Sequence, residues 1–162
     1  MKFICEKGQF LELDILDYEY PDIVINKDDK NWFKDSNWLM IHFNVNLLKL
    51  QWNINAPVLN IYDIKYMIDW FKDISKNKII ERKAIDFIDP GLSLKLLNNF
   101  NSTVKIMKFK LEYPIHPANI YANSFRIPFK KYYFLKLKAT NERLRKYAEE
   151  LENELKKYPD RG

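Results

Sequence analysis

The chain of 162 residues is poor in the residues that usually build compact chemical sites. Its one cysteine, Cys5, allows no internal disulfide and no paired-cysteine metal motif. Its three glycines form neither a GxGxxG nor a Walker-type phosphate loop. Neither of its two histidines, His42 and His116, has a second histidine four residues away, which excludes the HExxH zinc motif. The sequence therefore predicts neither a cofactor nor a bound metal ion.

Long hydrophobic runs are also missing, since no segment approaches the ~20 apolar residues that a membrane helix requires. The first residues, MKFICEKGQFLELD, carry charges at Lys2, Glu6 and Lys7 and contain no apolar core typical of a signal peptide. We therefore expect a cytoplasmic protein that has no membrane segment and keeps its thiol reduced.

The composition is that of a globular protein with an aromatic core. Hydrophobic residues make up 47% of the chain, charged residues 30%, and aromatic residues 15%. The length suits one domain, and no repeat or flexible linker is evident in the sequence. We predict a single domain over residues 1–162, with an α+β core over 1–139 and a C-terminal helix over 140–160.

Charge is distributed unevenly along the chain, whose net charge is +5. Residues 1–35 contain 5 Lys/Arg and 9 Asp/Glu, a net of −4, whereas residues 36–139 contain 16 and 7, a net of +9. Residues 140–162 are balanced, with 6 of each sign. The basic isoelectric point therefore comes from the middle of the chain, and the acidic opening is a distinct feature.

Hydrophobic periodicity predicts strands interrupted by two helices. Strands are expected over 9–20, 37–45, 47–54, 84–88, 92–97, 104–113 and 125–138, with Ala56-Pro57 ending the third. A helix over 61–76, capped by Asn60 or Asp63, carries one apolar stripe, and Thr140 or Asn141 caps a final helix. That helix offers the ion pairs Glu142–Lys146 and Glu152–Lys156. The order predicts an α+β fold: a mostly antiparallel β-sheet with one central amphipathic helix and a C-terminal amphipathic helix.

Few side chains suggest catalysis. His116 lies in a loop between two prolines and is the one candidate general base of a small hydrolase, but spacing places no nucleophile beside it. His42 lies within a strand, where a hydrogen-bonded structural role is the usual one. Cys5 resembles a small buried hydrophobic residue.

Two charged groups of residues suggest binding. The acidic group could hold a cation, but it lacks the spacing of a calcium loop, which favours a partner-facing patch: Asp14, Asp17, Glu19, Asp22, Asp28 and Asp29. The basic group could line one sheet face and bind single-stranded RNA or DNA: Lys105, Lys108, Lys110, Lys130, Lys131, Lys136 and Lys138, with Tyr132, Tyr133 and Phe134 between them.

Spaced fragments of the chain resemble a known family. They are Asp17-Tyr18-Glu19-Tyr20-Pro21, Asn37-Trp38-Leu39-Met40-Ile41, Trp52, Ala56-Pro57-Val58-Leu59, Asp63-Ile64, Ile68-Asp69-Trp70-Phe71, and Phe87-Ile88-Asp89-Pro90-Gly91-Leu92-Ser93. Over roughly residues 8–130 this order is similar to the WapI family of bacterial immunity proteins. None of the fragments is a catalytic motif.

The resemblance implies a small cytoplasmic protein, not an enzyme, that binds and occludes a cognate toxin domain, often a tRNA nuclease. The charged helix at 141–158 would then extend beyond the family pattern. On this interpretation the candidate partner-binding residues lie in the acidic opening, with Phe33 as a further aromatic anchor: Asp17, Glu19, Asp22, Asp28, Asp29, Trp32, Asp35 and Trp38. The alternative is a lysine-rich module that binds single-stranded RNA or DNA.

Overall fold

A computed structural model describes residues 1–23, 36–117 and 130–161. In these residues the chain forms one architecture twice. The first half contains strands β1 (Lys2–Ile4), β2 (Phe10–Tyr18), β3 (Trp38–Asn46) and β4 (Gln51–Asn60), then helix α1 (Ile61–Ser75). The second contains β5 (Ala84–Asp86), β6 (Leu92–Leu96), β7 (Val104–Leu111) and β8 (Tyr133–Thr140), then helix α2 (Asn141–Leu155). Each half is an antiparallel sheet with strands in sequence order, so the predicted α+β fold is confirmed.

The two halves also use the same helical positions for packing. In both halves a 15-residue helix begins at the residue after the last strand. α1 buries positions 64, 67, 68 and 71, and α2 buries positions 144, 147, 148 and 151. The two halves do not share the same residue types at these positions, so the sequence shows no repeat. Packing requires apolar volume at each position rather than a particular residue.

One continuous core joins the two halves. Phe3, on β1, is fully buried, and its ring centroid lies 4.9 Å from those of Phe109 on β7 and Tyr147 on α2. The ring of Phe71 on α1 lies 6.0 Å from it. A single side chain of the first sheet therefore contacts the second sheet and both helices.

α1 begins where the sequence indicates. The Asn60 side chain accepts a hydrogen bond from the backbone N–H of Asp63 at 2.9 Å, and the Asp63 carboxylate accepts one from the Asn60 N–H at 3.1 Å. This reciprocal capping satisfies two N–H groups that the helix cannot pair internally. The predicted apolar stripe is buried throughout: Ile61, Ile64, Met67, Ile68, Phe71 and Ile74.

α2 begins at the predicted cap, where the Thr140 hydroxyl accepts a hydrogen bond from the N–H of Arg143 at 3.2 Å. The expected pair Glu152–Lys156 is wrong: Glu152 instead forms an ion pair with Lys72 of α1, and Lys156 donates to the side chain of Asn153. The structure shows no pair between Glu142 and Lys146, both of which are exposed. Glu152 of α2 can reach Lys72 because α1 packs directly against α2.

The predicted strand break at Ala56-Pro57 is wrong. β4 continues to Asn60, and the pairing register with β3 shifts between Leu39 and Ile41. Proline cannot donate to a ladder, but edge strands and bulges tolerate it. β4 is the edge strand of the first sheet and carries this irregularity, so both conditions hold.

Candidate functional site

Three of the eight sequence-predicted partner residues lie close together at the end of β2: Asp17, Glu19 and Trp38. The backbone N–H of Glu19 donates to the carbonyl oxygen of Trp38 at 2.8 Å, which continues the β2–β3 pairing beyond Tyr18. A register shift between Ile15 and Asp17 places Asp17 opposite Met40, on the outer face of the sheet. Asp17 is exposed, and its carboxylate accepts a hydrogen bond from the N–H of Tyr18 at 2.8 Å. Asp17, Glu19 and Trp38 are therefore neighbours.

The surface continues into the turn after β2, where Asp22 is exposed. Two apolar side chains flank the carboxylates with about half of their surface exposed, Leu16 at 48% and Tyr20 at 49%. We call this surface the acidic end: Leu16, Asp17, Glu19, Tyr20, Asp22 and Trp38. The other predicted partner residues, Asp28, Asp29, Trp32, Phe33 and Asp35, lie outside the described residues.

A segment that the sequence did not assign to this site lies against it. Residues 158–161, which we call the C-terminal strap, follow α2 and return to β2. The Tyr158 hydroxyl lies 3.0 Å from the carbonyl oxygens of both Ile15 and Leu16. The Tyr18 hydroxyl donates to the carbonyl oxygen of Pro159, and the rings of Tyr18 and Tyr158 meet edge to face at 5.7 Å.

Asp160 attaches the strap to α1. Its carboxylate accepts hydrogen bonds from the Asn37 side chain at 3.0 Å and from the Tyr62 hydroxyl at 3.1 Å, and it pairs with the Lys65 amine at 3.3 Å. Asn37 is fully buried, and its side-chain oxygen Oδ1 accepts a hydrogen bond from the backbone N–H of Arg161 at 3.0 Å. The strap is thereby fixed to α1 and to the residue that directly precedes β3.

Arg161 attaches the strap to the acidic end. Its guanidinium lies 3.5 Å above the Tyr18 ring and donates to the carbonyl oxygens of Tyr20 at 2.9 Å and Pro21 at 3.1 Å. Burial raises the pKa of Tyr18, and the nearby Arg161 charge opposes that rise. The arginine orders the turn between Glu19 and Asp22. The last helix ends at Leu155, before the predicted end at residue 160, and Pro159, which cannot continue a helix, is the residue that could have indicated a separate segment.

The side chains that the sequence offered for catalysis are held in hydrogen bonds or buried in the core. His116 is buried, with Nε2 hydrogen-bonded to the carbonyl oxygen of Lys130 and its ring against Tyr133. His42 Nδ1 lies 2.7 Å from the side-chain oxygen of Asn55, as expected for a strand histidine. Burial raises the pKa of Cys5 to about 12, so its thiol is protonated at neutral pH.

Across residues 1–23, 36–117 and 130–161, no three His, Cys, Asp or Glu side chains are grouped so that they could hold a metal ion. In the same ranges, neither helix has the length and apolar character that crossing a membrane requires.

The basic residues of the second half separate onto two sides of the sheet. Four of the predicted lysines share the outer face with Tyr132 and Phe134: Lys108, Lys110, Lys136 and Lys138. Lys130 and Lys131 are exposed just before β8. The placement of Lys105 and Tyr133 on that face is wrong, because alternate strand residues point to opposite sides and these two point inward.

Lys105 is fully buried although it carries an amine. Its Nζ donates to the side-chain oxygen of Asn77 at 2.7 Å and to the carbonyl oxygen of Ser102 at 2.6 Å. Both acceptors are neutral, and burial lowers the pKa of this amine below its ordinary 10.5.

Because of Lys105, the free energy of unfolding should depend on pH in the alkaline range. The pKa of Lys105 is lower in the folded state than in the unfolded chain. Burial of the charged amine therefore destabilises the fold most at pH values below the folded-state pKa, and this destabilisation disappears as the pH rises from the folded-state pKa toward 10.5. In Lys105→Met this destabilisation is absent, so we expect the unfolding free energy of this variant, relative to wild type, to fall as the pH rises. Urea unfolding at several pH values measures the difference, with exposed Lys76→Met as control. A constant difference would contradict the prediction.

Comparison with known proteins assigns the chain to a class. A model described as the immunity protein WapI-like family matches residues 2–159, which is nearly the whole chain. The protein is therefore of the toxin-immunity class, and it belongs to the WapI-like immunity protein family. The match includes α2 and part of the strap, so the expectation that the last helix extends beyond the family pattern is wrong. Comparisons with curated proteins and with solved structures gave no match.

Proposed function

We propose that this protein is a cytoplasmic, non-enzymatic immunity protein that binds a cognate protein toxin domain and occludes its active surface. The match to the immunity family over residues 2–159 carries the proposal. We further propose a nuclease acting on tRNA as the toxin, because a nuclease groove that holds phosphates is cationic and would be attracted to carboxylates.

The acidic end is the proposed toxin-binding surface. It combines the exposed carboxylates of Asp17 and Asp22 with the half-exposed side chains of Leu16 and Tyr20. Protein interfaces commonly pair a few aromatic anchors with complementary charge, which accelerates association and excludes wrong partners. The surface needs no metal or cofactor to bind in this way.

Preorganisation of this surface supports tight binding. Arg161 holds the carbonyl groups of Tyr20 and Pro21, and Tyr158 holds those of Ile15 and Leu16. Backbone fixed before binding loses less conformational entropy when the partner arrives. The strap therefore stabilises the backbone of the proposed surface.

Charge reversal tests the proposal. In Asp17→Lys/Asp22→Lys we expect affinity for the cognate toxin domain to fall about tenfold to a hundredfold, because two attractive charges become repulsive. Surface plasmon resonance should show most of the loss in the association rate, and protection from the toxin should weaken in parallel.

Glu142→Lys/Glu149→Lys is the matched control, since both residues are exposed on α2 and the change in net charge is the same. Equal losses in both double variants would show a general charge effect and contradict the assignment of the surface. Inhibition that needs much less than one immunity protein per toxin would contradict the non-enzymatic mechanism. The alternative predicted from the sequence, binding of single-stranded nucleic acid, concerns the other sheet.

A further inference from the structure

We propose that the outer face of the second sheet is a separate binding surface for the phosphate backbone of single-stranded nucleic acid. We call it the lysine face: Lys95, Lys108, Lys110, Lys136 and Lys138 with Tyr132 and Phe134. This surface goes beyond toxin binding and belongs to a different sheet from the acidic end.

The strand register aligns three of its lysines in a row. Lys95 of β6 pairs with Lys108 of β7, and Lys108 pairs with Lys136 of β8. Like charges placed directly opposite each other destabilise a sheet. A polyanion lying across the row would remove that repulsion, so the arrangement is unfavourable for the free fold and favourable for an anionic ligand.

Among the described residues, the three lysines of this row form no ion pair, and the ion pairs near the face lie at its margins. The charge of Lys136 also acts on the Glu6 carboxylate and helps to lower its pKa, but the two groups are not in direct contact. Lys110 pairs with Glu112, and Lys138 pairs with Glu6 at 3.0 Å. The central charges of Lys95, Lys108 and Lys136 are therefore available for an external anion.

Two aromatic rings favour a nucleic acid over an acidic protein. Tyr132 and Phe134 are 39% and 42% exposed, and their centroids lie 5.1 Å apart. The amine of Lys108 lies 4.2 Å from the centroid of Phe134, and that of Lys110 lies 5.1 Å from the centroid of Tyr132. Alternating cations and exposed rings can hold phosphates and stacked bases together. A chain of acidic side chains alone, such as polyglutamate, would use the charges but has no planar group to stack on the rings.

Fluorescence anisotropy with a labelled oligouridylate of about 16 nucleotides tests the proposal on the full chain. For Lys108→Gln/Lys136→Gln we expect binding to weaken about tenfold or more. The slope of log affinity against log salt should become shallower by about 1.4, since each lost phosphate contact contributes about 0.7. Phe134→Leu should weaken binding about fivefold through lost stacking. The control Lys49→Gln/Lys146→Gln removes the same charge from exposed positions elsewhere and should change affinity less than about twofold.

Three results would overturn the proposal: no salt-dependent binding by wild type, equal losses in the two double variants, or competition by polyglutamate as strong as by oligouridylate with no effect of Phe134→Leu. The last result would assign the face to an acidic protein.

Thermal melts check folding, and Lys108→Gln/Lys136→Gln should melt no lower than wild type because the repulsion between the two lysines is removed. Toxin capture by the same variant is expected to be unchanged, so failure of this proposal is distinguishable from failure of the immunity function.

Discussion

Replacing Phe3 by alanine is expected to lower the free energy of unfolding by about 3–5 kcal/mol. The residue is fully buried, and its ring contacts those of Phe71, Phe109 and Tyr147. Truncation would leave a cavity where the first sheet, the second sheet and both helices meet. The loss therefore weakens the attachment of the two halves rather than one local element.

Urea unfolding followed by tryptophan fluorescence measures the effect. Phe10→Ala is the control, because Phe10 is only partly buried at the start of β2 and should cost well under half as much. Since Phe3 joins the halves in one core, wild type and Phe10→Ala should each unfold in one transition. Two separate transitions in wild type, or equal losses in the two variants, would show that Phe3 does not unite the core.

Removing the C-terminal strap, by ending the chain after Lys157, is expected to lower the free energy of unfolding by about 2–3 kcal/mol. The truncation deletes the hydrogen bonds of Tyr158, the Asp160 contacts with Asn37 and Tyr62, and the stacking of Arg161 on Tyr18. It also leaves the buried Asn37 side chain without two of its partners. The proposed toxin surface should lose order before the rest of the fold.

Hydrogen exchange locates the change. Amides of residues 15–22 should exchange faster in the truncated chain, whereas those of β7 and β8 should not change. Tyr158→Phe is the control: it removes only the hydroxyl that reaches the carbonyl groups of Ile15 and Leu16, at a cost of about 1 kcal/mol. If exchange at residues 15–22 stays at the wild-type rate after truncation, the strap does not organise the acidic end.

The helices and most strand faces could be predicted from the sequence, because their signals are local. Residues 61, 64, 67, 68, 71 and 74 are all buried in α1, as their helical spacing indicates. The alternation over 38–45 likewise places Leu39, Ile41, Phe43 and Val45 in the core. The side of the sheet taken by Lys105 was readable from the same alternation, since it shares the parity of Met107 and Phe109.

The α+β class, the two helix starts and the family to which the chain belongs could be predicted from residue order alone, because each depends on neighbouring residue types or on their order. Three features became evident only in the folded chain: β4 continues through Pro57, Glu152 pairs with Lys72, and the strap contacts the acidic end. Tyr158 and Ile15 are 143 positions apart. Such contacts depend on how two sheets and two helices pack together, and no local periodicity encodes that packing.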